Sequence, residues 1–226
     1  VNTSLISKRL MPCTSKCGSL ILHWMMKHKK ENPYYKYIDK ILKVAKQNDT
    51  VVCLLSAFRP GCIADAFDDV QWEELKVIKG LVKKAHKAGV QIEAGLGGHM
   101  PINRISRFFC LQKRLLKTPI IVFGPQVTDT ALGCDHIDAS IGQSLALLSG
   151  ADAFFMITPA EHLGMPQEKD MIKGCEAARI VAHAINVSRG KDIGEDFKVS
   201  KARAKGKCSI CGEYCALKTM RDILWE

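Results

Sequence analysis

Short runs of apolar, β-branched residues alternate along this chain with longer stretches in which apolar positions recur at helical spacing. The short runs predict four buried strands, at 50–55, 90–93, 120–123 and 153–157. The longer stretches predict helices at 21–29, 35–46, 72–87, 102–116, 137–148 and 167–187. Because parallel strands need crossover connections and helices supply them, this order indicates an α/β fold with a parallel sheet.

The number of strands indicates half of a larger architecture. Eight strands close a (β/α)8 barrel of the TIM type, and this chain supplies four. An open half-barrel would expose unpaired strand edges, which natural sheets avoid, so we expect an N-terminal half from a longer chain or from a partner. The predicted domains are the C-terminal half of a β/α barrel at 1–188, a basic linker at 189–207 and a cysteine-bearing tail at 208–226.

Polar side chains cluster in the loops that follow the predicted strands. Arg59, His99, Gln126, Glu161 and His162 all lie there, at the end where β/α folds place their chemistry. Two neutral imidazoles at neighbouring strand ends are suited to share a divalent metal, although a structural hydrogen bond is the more common role for each histidine taken alone. Arg59 is suited to grip a phosphate, with a structural salt bridge as the alternative.

The charge balance favours an anionic partner. Lys and Arg number 33 against 23 Asp and Glu, which gives a net charge of +10 over 226 residues. Phosphorylated metabolites, nucleic acid and acidic membranes all fit that charge. The basic segment before the tail has no interleaved aromatic residues, and no apolar run reaches the length of a membrane span. We therefore expect a small-molecule substrate, no nucleic acid and no membrane.

Three of the ten cysteines fall within eight residues of the tail: Cys208, Cys211 and Cys215. Because no secretory signal is evident, we expect a reduced, cytoplasmic protein in which such thiols bind a metal. A structural zinc site needs a fourth ligand, for which Cys175 and His183 are candidates. A 4Fe–4S cluster held by three cysteines leaves one iron for S-adenosylmethionine. The spacing favours the cluster and leaves zinc as the alternative.

Several longer motifs carry a resemblance to a known family. They are Lys-Glu-Asn-Pro-Tyr-Tyr at 30–35, Phe-Arg-Pro-Gly-Cys-Ile-Ala-Asp-Ala at 58–66, Gly-His-Met-Pro at 98–101, Gly-Cys-Asp-His-Ile at 133–137 and Ile-Thr-Pro-Ala-Glu-His-Leu-Gly-Met-Pro at 157–166. On these motifs the chain resembles the phosphomethylpyrimidine synthase family of radical S-adenosylmethionine (SAM) enzymes and its close relative 5-hydroxybenzimidazole synthase. The resemblance runs from about residue 15 to residue 222.

The resemblance implies a β/α barrel, a homodimer in which the tail reaches the partner subunit, and a lyase-type synthase. It implies that 5-aminoimidazole ribotide is converted to 4-amino-5-hydroxymethyl-2-methylpyrimidine phosphate in thiamine biosynthesis, or to 5-hydroxybenzimidazole for cobamides. His99 and His162 would hold zinc or another divalent metal. The 4Fe–4S cluster, with S-adenosylmethionine, would lie on Cys208, Cys211 and Cys215. The implied substrate contacts are Ser15, Lys16, Cys17, Ser56, Ala57, Phe58, Arg59, Gly95 and Val122.

Several of these substrate positions depart from the family pattern. The family's Ser-Arg-Gly is Ser-Lys-Cys at 15–17, which replaces a bidentate guanidinium by a point charge. Its Asp-Gly-Leu-Arg is Ser-Ala-Phe-Arg at 56–59, so a carboxylate is lost. The family's Glu four residues before the metal histidine is Gly95, and its Tyr before Gly-Pro is Val122. These changes predict a divergent paralogue with an altered substrate, or a non-catalytic, zinc-binding or decayed one.

Overall fold

The chain forms two compact units, Val1–Val181 and Ala182–Glu226, of which a computed structural model describes residues 3–205 and 210–224. The first unit contains the sheet and most of the helices. The second contains the end of one long helix, two further helices and the described part of the tail. No helix in the described parts of the chain is long and apolar enough to cross a membrane.

A four-stranded parallel sheet forms the centre of the first unit. Its strands are β1 (Val52–Leu55), β2 (Ile92–His99), β3 (Ile120–Gln126) and β4 (Ala153–Phe154). They lie side by side in chain order, and every neighbouring pair is parallel. The predicted α/β fold with a parallel sheet is therefore confirmed.

Helices connect each strand to the next. Those of the first unit are α1 (Thr3–Ile6), α2 (Lys16–His28), α3 (Pro33–Lys36), α4 (Ile38–Gln47), α5 (Asp69–Ala88), α6 (Ile102–Leu116), α7 (Asp135–Leu148) and the start of α8 (Glu168–Ser188). Local sequence sets their ends. Asp68 accepts a hydrogen bond from the Gln71 N–H at the start of α5, and Gly89, in the left-handed conformation, ends the same helix.

The two faces of the sheet differ in burial. Leu96, Ile120 and Val122 are almost completely buried on the face that α5 and α7 cover. Leu55, which pairs with Gly95, points the other way and is 50% exposed. Side chains alternate between the faces of a strand, so the residues adjacent to the buried ones reach the less covered face.

The two central strands are longer than the apolar runs predict, whereas β1 (Val52–Leu55) and β4 (Ala153–Phe154) are shorter than the predicted 50–55 and 153–157. We expect strands at 90–93 and 120–123, whereas β2 extends to His99 and β3 to Gln126. The added residues are rich in glycine and proline, which normally indicate loops. Here His99 pairs with Gln126 after a local irregularity in the register, so the ladder continues past the apolar residues.

The second unit is helical where it is described. The segment interpreted as a linker contains α9 (Ile193–Lys205), an exposed helix with three lysines and one arginine. Within this unit the His183 Nε2 lies 2.8 Å from an Asp196 oxygen, and the Asn186 amide donates to Asp192 at 2.7 Å. Charge and polarity alone did not separate an exposed helix from an extended linker, because both are solvated.

Two glycines in the middle of different helices offer a matched test of the packing. A Cβ on Gly142 of α7 would overlap the Pro125 carbonyl oxygen, whereas a Cβ on Gly80 of α5 would meet nothing within 4 Å. We expect Gly142→Ala to lower the free energy of unfolding of this chain by about 1–3 kcal/mol. Gly80→Ala should raise it by about 0.5–1 kcal/mol, because alanine favours a helix. Urea denaturation measures both, and equal effects would contradict the packing of α7 on the end of β3.

Candidate metal and anion site

Two histidines face each other at the carboxyl ends of the strands. His99 is the last residue of β2, and His162 lies in the turn that follows β4. Their Nε2 atoms are 3.3 Å apart. The backbone around His99 is held closely: its N–H donates to the Pro60 carbonyl at 2.9 Å, and a Cβ on Gly98 would overlap that carbonyl. Glycine is therefore required at position 98 to place the imidazole.

Each of the two imidazoles is oriented by a carboxylate. The His99 Nδ1 lies 2.7 Å from Asp129, and the His162 Nδ1 lies 2.5 Å from Asp135. Asp129 also accepts from the Ile63 N–H at 2.9 Å, which fixes the position of its carboxylate. Carboxylates that bind one ring nitrogen leave the other to face a metal, an arrangement common around metal-binding histidines. Sequence reasoning did not assign this role to either aspartate.

The geometry of the pair suits a shared divalent metal. Two ligands at about 2.0–2.1 Å from a tetrahedral zinc lie about 3.3 Å from each other, which equals the Nε2–Nε2 separation seen here. Burial lowers the pKa of His99, against the opposing effect of Asp129, and so favours the neutral imidazole that binds metals. Within residues 3–205 and 210–224, no group of three or more His, Cys, Asp or Glu side chains gathers to complete such a site.

Arg59 lies in the loop after β1, on the same end of the sheet. Its Nη1 donates to the Ser56 carbonyl at 2.8 Å, and its guanidinium carbon lies 4.8 Å from the centre of the Phe123 ring. Burial lowers the pKa of Arg59, while the charges of Glu74 and Glu161 act in the opposite direction. The half-buried guanidinium is thus held on one side by a carbonyl and on another by an aromatic face.

An aromatic pair beneath Arg59 is a feature that sequence reasoning missed. The rings of Phe123 and Phe155 stack with centroids 4.1 Å apart and planes at 20°. Both residues are half-buried; Phe123 lies in the middle of β3, and Phe155 directly follows β4. Arg59, Phe123 and Phe155 therefore form a continuous stack from the loop after β1 to the residue after β4. Two phenylalanines in separate strands give no sequence signal that they meet.

The N-terminal candidate residues come close to this loop. Ser15 caps α2 by accepting a hydrogen bond from the Gly18 N–H at 3.1 Å. A Cβ on Gly18 would lie 2.7 Å from the Ala57 Cβ, so the start of α2 packs directly on the loop after β1. Lys16 and Cys17, in the first turn of α2, are exposed. The structure therefore brings the 15–17 segment and the 56–59 segment together.

Comparison with known proteins decides the family. A model described as the radical SAM ThiC family matches residues 1–207, which is most of the chain. The chain belongs to the radical SAM ThiC family. The resemblance inferred from the sequence motifs is confirmed.

Named relatives agree with that family. The chain is 39% identical over 249 residues to the phosphomethylpyrimidine synthase of Caldanaerobacter subterraneus subsp. tengcongensis, covering 96% of this chain and 58% of the relative. It is 38% identical to the enzyme of that name from Methanopyrus kandleri, with the same two coverages. It is 36% identical over 247 residues to the 5-hydroxybenzimidazole synthase BzaA of Eubacterium limosum, also covering 96% and 58%. The chain thus spans less than two thirds of the length of these relatives.

The loop at 56–59 resembles the family's substrate-binding segment, but two of its four side chains are buried. The Ser56 hydroxyl donates to Glu74, and Ser56 itself is buried. Phe58 is buried in a cluster with Ile6 and Val70. Among residues 56–59, Arg59 is therefore the one with a polar side chain turned toward the strand ends.

Two further positions implied by the family resemblance, Gly95 and Val122, lie on opposite faces of the sheet. Gly95 lies on the face of β2 that bears Leu55, and the Leu55 side chain occupies the space that a Cβ on Gly95 would need. Val122 is fully buried on the opposite, helix-covered face of β3. The structure does not bring the Val122 side chain together with Arg59, because its neighbour Phe123 takes the face below the guanidinium.

The tail cysteines lie in the second unit. Cys208 falls within 206–209, outside the described residues. Cys211 and Cys215 flank a short 3-10 turn (Gly212–Tyr214) that precedes α10 (Ala216–Leu224). Cys211 is exposed and Cys215 is half-buried, and both are free thiols. Accessible thiols on a short turn suit a soft metal or an iron–sulfur cluster.

Proposed function

We propose that this chain is the portion of a radical SAM enzyme that carries the metal site, the phosphate-binding arginine and the cluster tail of a phosphomethylpyrimidine synthase. Its substrate would be 5-aminoimidazole ribotide, and its product 4-amino-5-hydroxymethyl-2-methylpyrimidine phosphate. Family membership supports the class of enzyme. The paired imidazoles, 3.3 Å apart and each anchored on a carboxylate, carry the proposal because a decayed paralogue has no reason to keep that arrangement.

The residues present fit the implied metal and cluster. His99 and His162 would hold zinc or another divalent metal, with Asp129 and Asp135 orienting the two rings. Cys211 and Cys215, together with Cys208, would hold the 4Fe–4S cluster. When bound, the cluster and S-adenosylmethionine would supply the one-electron reductive chemistry that leads to hydrogen abstraction from the substrate. In a homodimer, the tail would reach the partner subunit.

The parallel sheet would form half of a β/α barrel. The chain spans 58% of relatives that carry the proposed activity in their names, so the other strands would come from the sequence that those relatives have in addition. A closed barrel would cover the face that bears Leu55 and exclude water from the strand ends. Within that enclosure, Arg59 would bind the substrate phosphate and fix the position of the ring that reacts.

Substitution of Arg59 tests the proposed substrate. Lys16, at the start of α2, stands where the family has an arginine, so Arg59 is the guanidinium at a matched substrate position. We expect Arg59→Ala to weaken the binding of 5-aminoimidazole ribotide by about 1.5–3 kcal/mol, the range for a hydrogen bond to a charged group. Arg59→Lys should recover part of this, because an ammonium cannot reproduce the fork of the guanidinium.

The measurement is calorimetric titration of the ribotide into full-length, reduced protein. Arg107→Ala is a suitable control, because Arg107 is exposed on α6 and lies outside the strand-end loops. Absence of ribotide binding to the unmutated protein would reject the proposed function. Unchanged binding in Arg59→Ala alone would place the phosphate elsewhere.

One relative favours a second candidate function. The BzaA protein of Eubacterium limosum, 36% identical to this chain, is named a 5-hydroxybenzimidazole synthase. Production of 5-hydroxybenzimidazole from the same ribotide is therefore the alternative. Mass spectrometry of the reaction product distinguishes the two, because one product is a phosphorylated pyrimidine and the other an unphosphorylated benzimidazole.

A further inference from the structure

The loop that carries Arg59 is held by a carboxylate from a helix. Glu74 lies in the second turn of α5, and its side chain reaches back to the residues after β1. It accepts hydrogen bonds from the Ser56 hydroxyl, from the Ala57 N–H at 2.7 Å and from the Phe58 N–H at 3.1 Å. One carboxylate therefore binds three donors from three successive residues. A carboxylate with several such donors is rigidly placed and acts as a clamp on the backbone.

This clamp is linked directly to the guanidinium. The Arg59 Nη1 donates to the carbonyl of Ser56, the residue whose hydroxyl Glu74 binds. Fixing residues 56–58 on α5 therefore fixes the carbonyl on which Arg59 rests. The Phe123 ring contacts the guanidinium from another side. A cation–π contact is less directional than a hydrogen bond, so the bond to the Ser56 carbonyl sets the orientation of the Arg59 side chain.

The clamp uses both oxygens of one carboxyl group as acceptors. Its two backbone partners, the Ala57 and Phe58 N–H groups, can only donate, and the Phe58 N–H faces both oxygens, so an amide of the same size would bring an NH2 group close to that N–H or leave it one acceptor. Burial holds the pKa of Glu74 above its ordinary value, although the three hydrogen bonds and the charge of Arg9 act in the opposite direction. The arrangement is half-buried, where a lost hydrogen bond leaves a donor unsatisfied.

We propose that Glu74 is the positioning residue that preorganises Arg59 for the substrate phosphate. Glu74 does not touch the substrate in this assignment, and it acts through the 56–58 backbone. The inference rests on the proposed function for the identity of the anion. A residue that merely stabilises the fold would affect unfolding without affecting the orientation of Arg59.

The neighbouring glutamate provides a matched control. Glu73 precedes Glu74 on α5 but is exposed and pairs with Lys76 at 2.6 Å. We expect Glu74→Gln to weaken the binding of 5-aminoimidazole ribotide to the full-length, reduced protein about tenfold or more. Glu73→Gln should change it less than about twofold, as expected for an exposed pair. In an Arg59→Ala background, Glu74→Gln should cause little further loss, because its effect runs through Arg59.

A second measurement does not need the ribotide. Phenylglyoxal modifies exposed guanidinium groups, and mass spectrometry of peptides gives the rate at Arg59. We expect a faster reaction at Arg59 in Glu74→Gln and an unchanged rate in Glu73→Gln. Where Glu74→Gln fails to fold, Ser56→Ala removes one donor of the clamp, and it should raise the same rate to a smaller extent.

The outcomes separate the two proposals. Ribotide binding by unmutated protein, with equal binding in Glu74→Gln, overturns the role of Glu74 and leaves the proposed function intact. Additive losses in Glu74→Gln and Arg59→Ala also overturn it, because they show a structural effect. Absence of ribotide binding to unmutated protein rejects the proposed function, and the phenylglyoxal rates then decide whether Glu74 positions Arg59.

Discussion

Replacing Cys211 by alanine is expected to abolish both the iron content and the cleavage of S-adenosylmethionine in full-length protein purified without oxygen. Three thiolates hold a 4Fe–4S cluster with one iron left open, so loss of one leaves two iron atoms without protein ligands. Cys211 is exposed at the start of a short turn. The other described cysteine at this turn, Cys215, is itself a proposed ligand and therefore cannot replace it. Cys208→Ala and Cys215→Ala should give the same result.

The measurements are iron quantification and detection of the cleaved cofactor. Unmutated protein should contain about four irons per chain. Cys110→Ala is the matched control, because Cys110 is also an exposed free thiol but lies on α6, outside the tail. Full cleavage by any one of the three tail variants would remove that cysteine from the ligand set. One zinc per chain without iron in the unmutated protein would support the zinc alternative instead.

The sequence pattern predicted the order of the elements well. Helix α6 has the predicted bounds, and α5, α7 and α8 begin or end within three residues of them. Long amphipathic helices are determined locally, by the periodic burial of one face. The ends of β2 and β3 were harder, because residues that normally stop a strand continue the ladder there. That pairing depends on the neighbouring strand, which a local pattern does not contain.

The functional residues were predictable in type but not in their contacts. Motifs indicated His99 and His162, and the structure brings their rings together. The carboxylates that orient them lie 30 and 27 residues away, and Glu74 lies 18 residues from Ser56. Such contacts depend on how helices and loops pack on the sheet. In sequence, Asp135 at the start of α7 has the signal of a helix cap, and Glu74 within α5 has that of an exposed residue.

The direction of a side chain also escaped sequence reasoning. Phe58 and Val122 occupy positions that the family resemblance gives to substrate contacts, yet both side chains are buried. Within a strand, a shift of one residue moves a side chain to the opposite face, so Phe123 rather than Val122 lies below Arg59. Aligning a motif in sequence shows where a residue lies along a strand. It does not show which face of the sheet the side chain is on, because that depends on the register of the strand.

The second large effect is expected at the histidine pair. Replacing both His99 and His162 by alanine should remove a bound divalent metal from full-length protein while leaving the iron content unchanged, because the proposed cluster would be held by cysteines. Each imidazole supplies one ligand, and the Nε2 separation of 3.3 Å matches two ligands on one tetrahedral ion. His86→Ala is the control, because His86 is exposed in the last turn of α5.

Substitution of Asp129, which orients His99, should give a smaller effect in the same experiment. Asp129→Asn keeps the shape of the side chain but weakens its hold on the His99 ring, so metal affinity should fall about 10–100-fold rather than vanish. Metal analysis by mass spectrometry, with a competing chelator for affinity, measures all these variants. Equal metal in unmutated protein and in the double histidine variant would make both imidazoles structural.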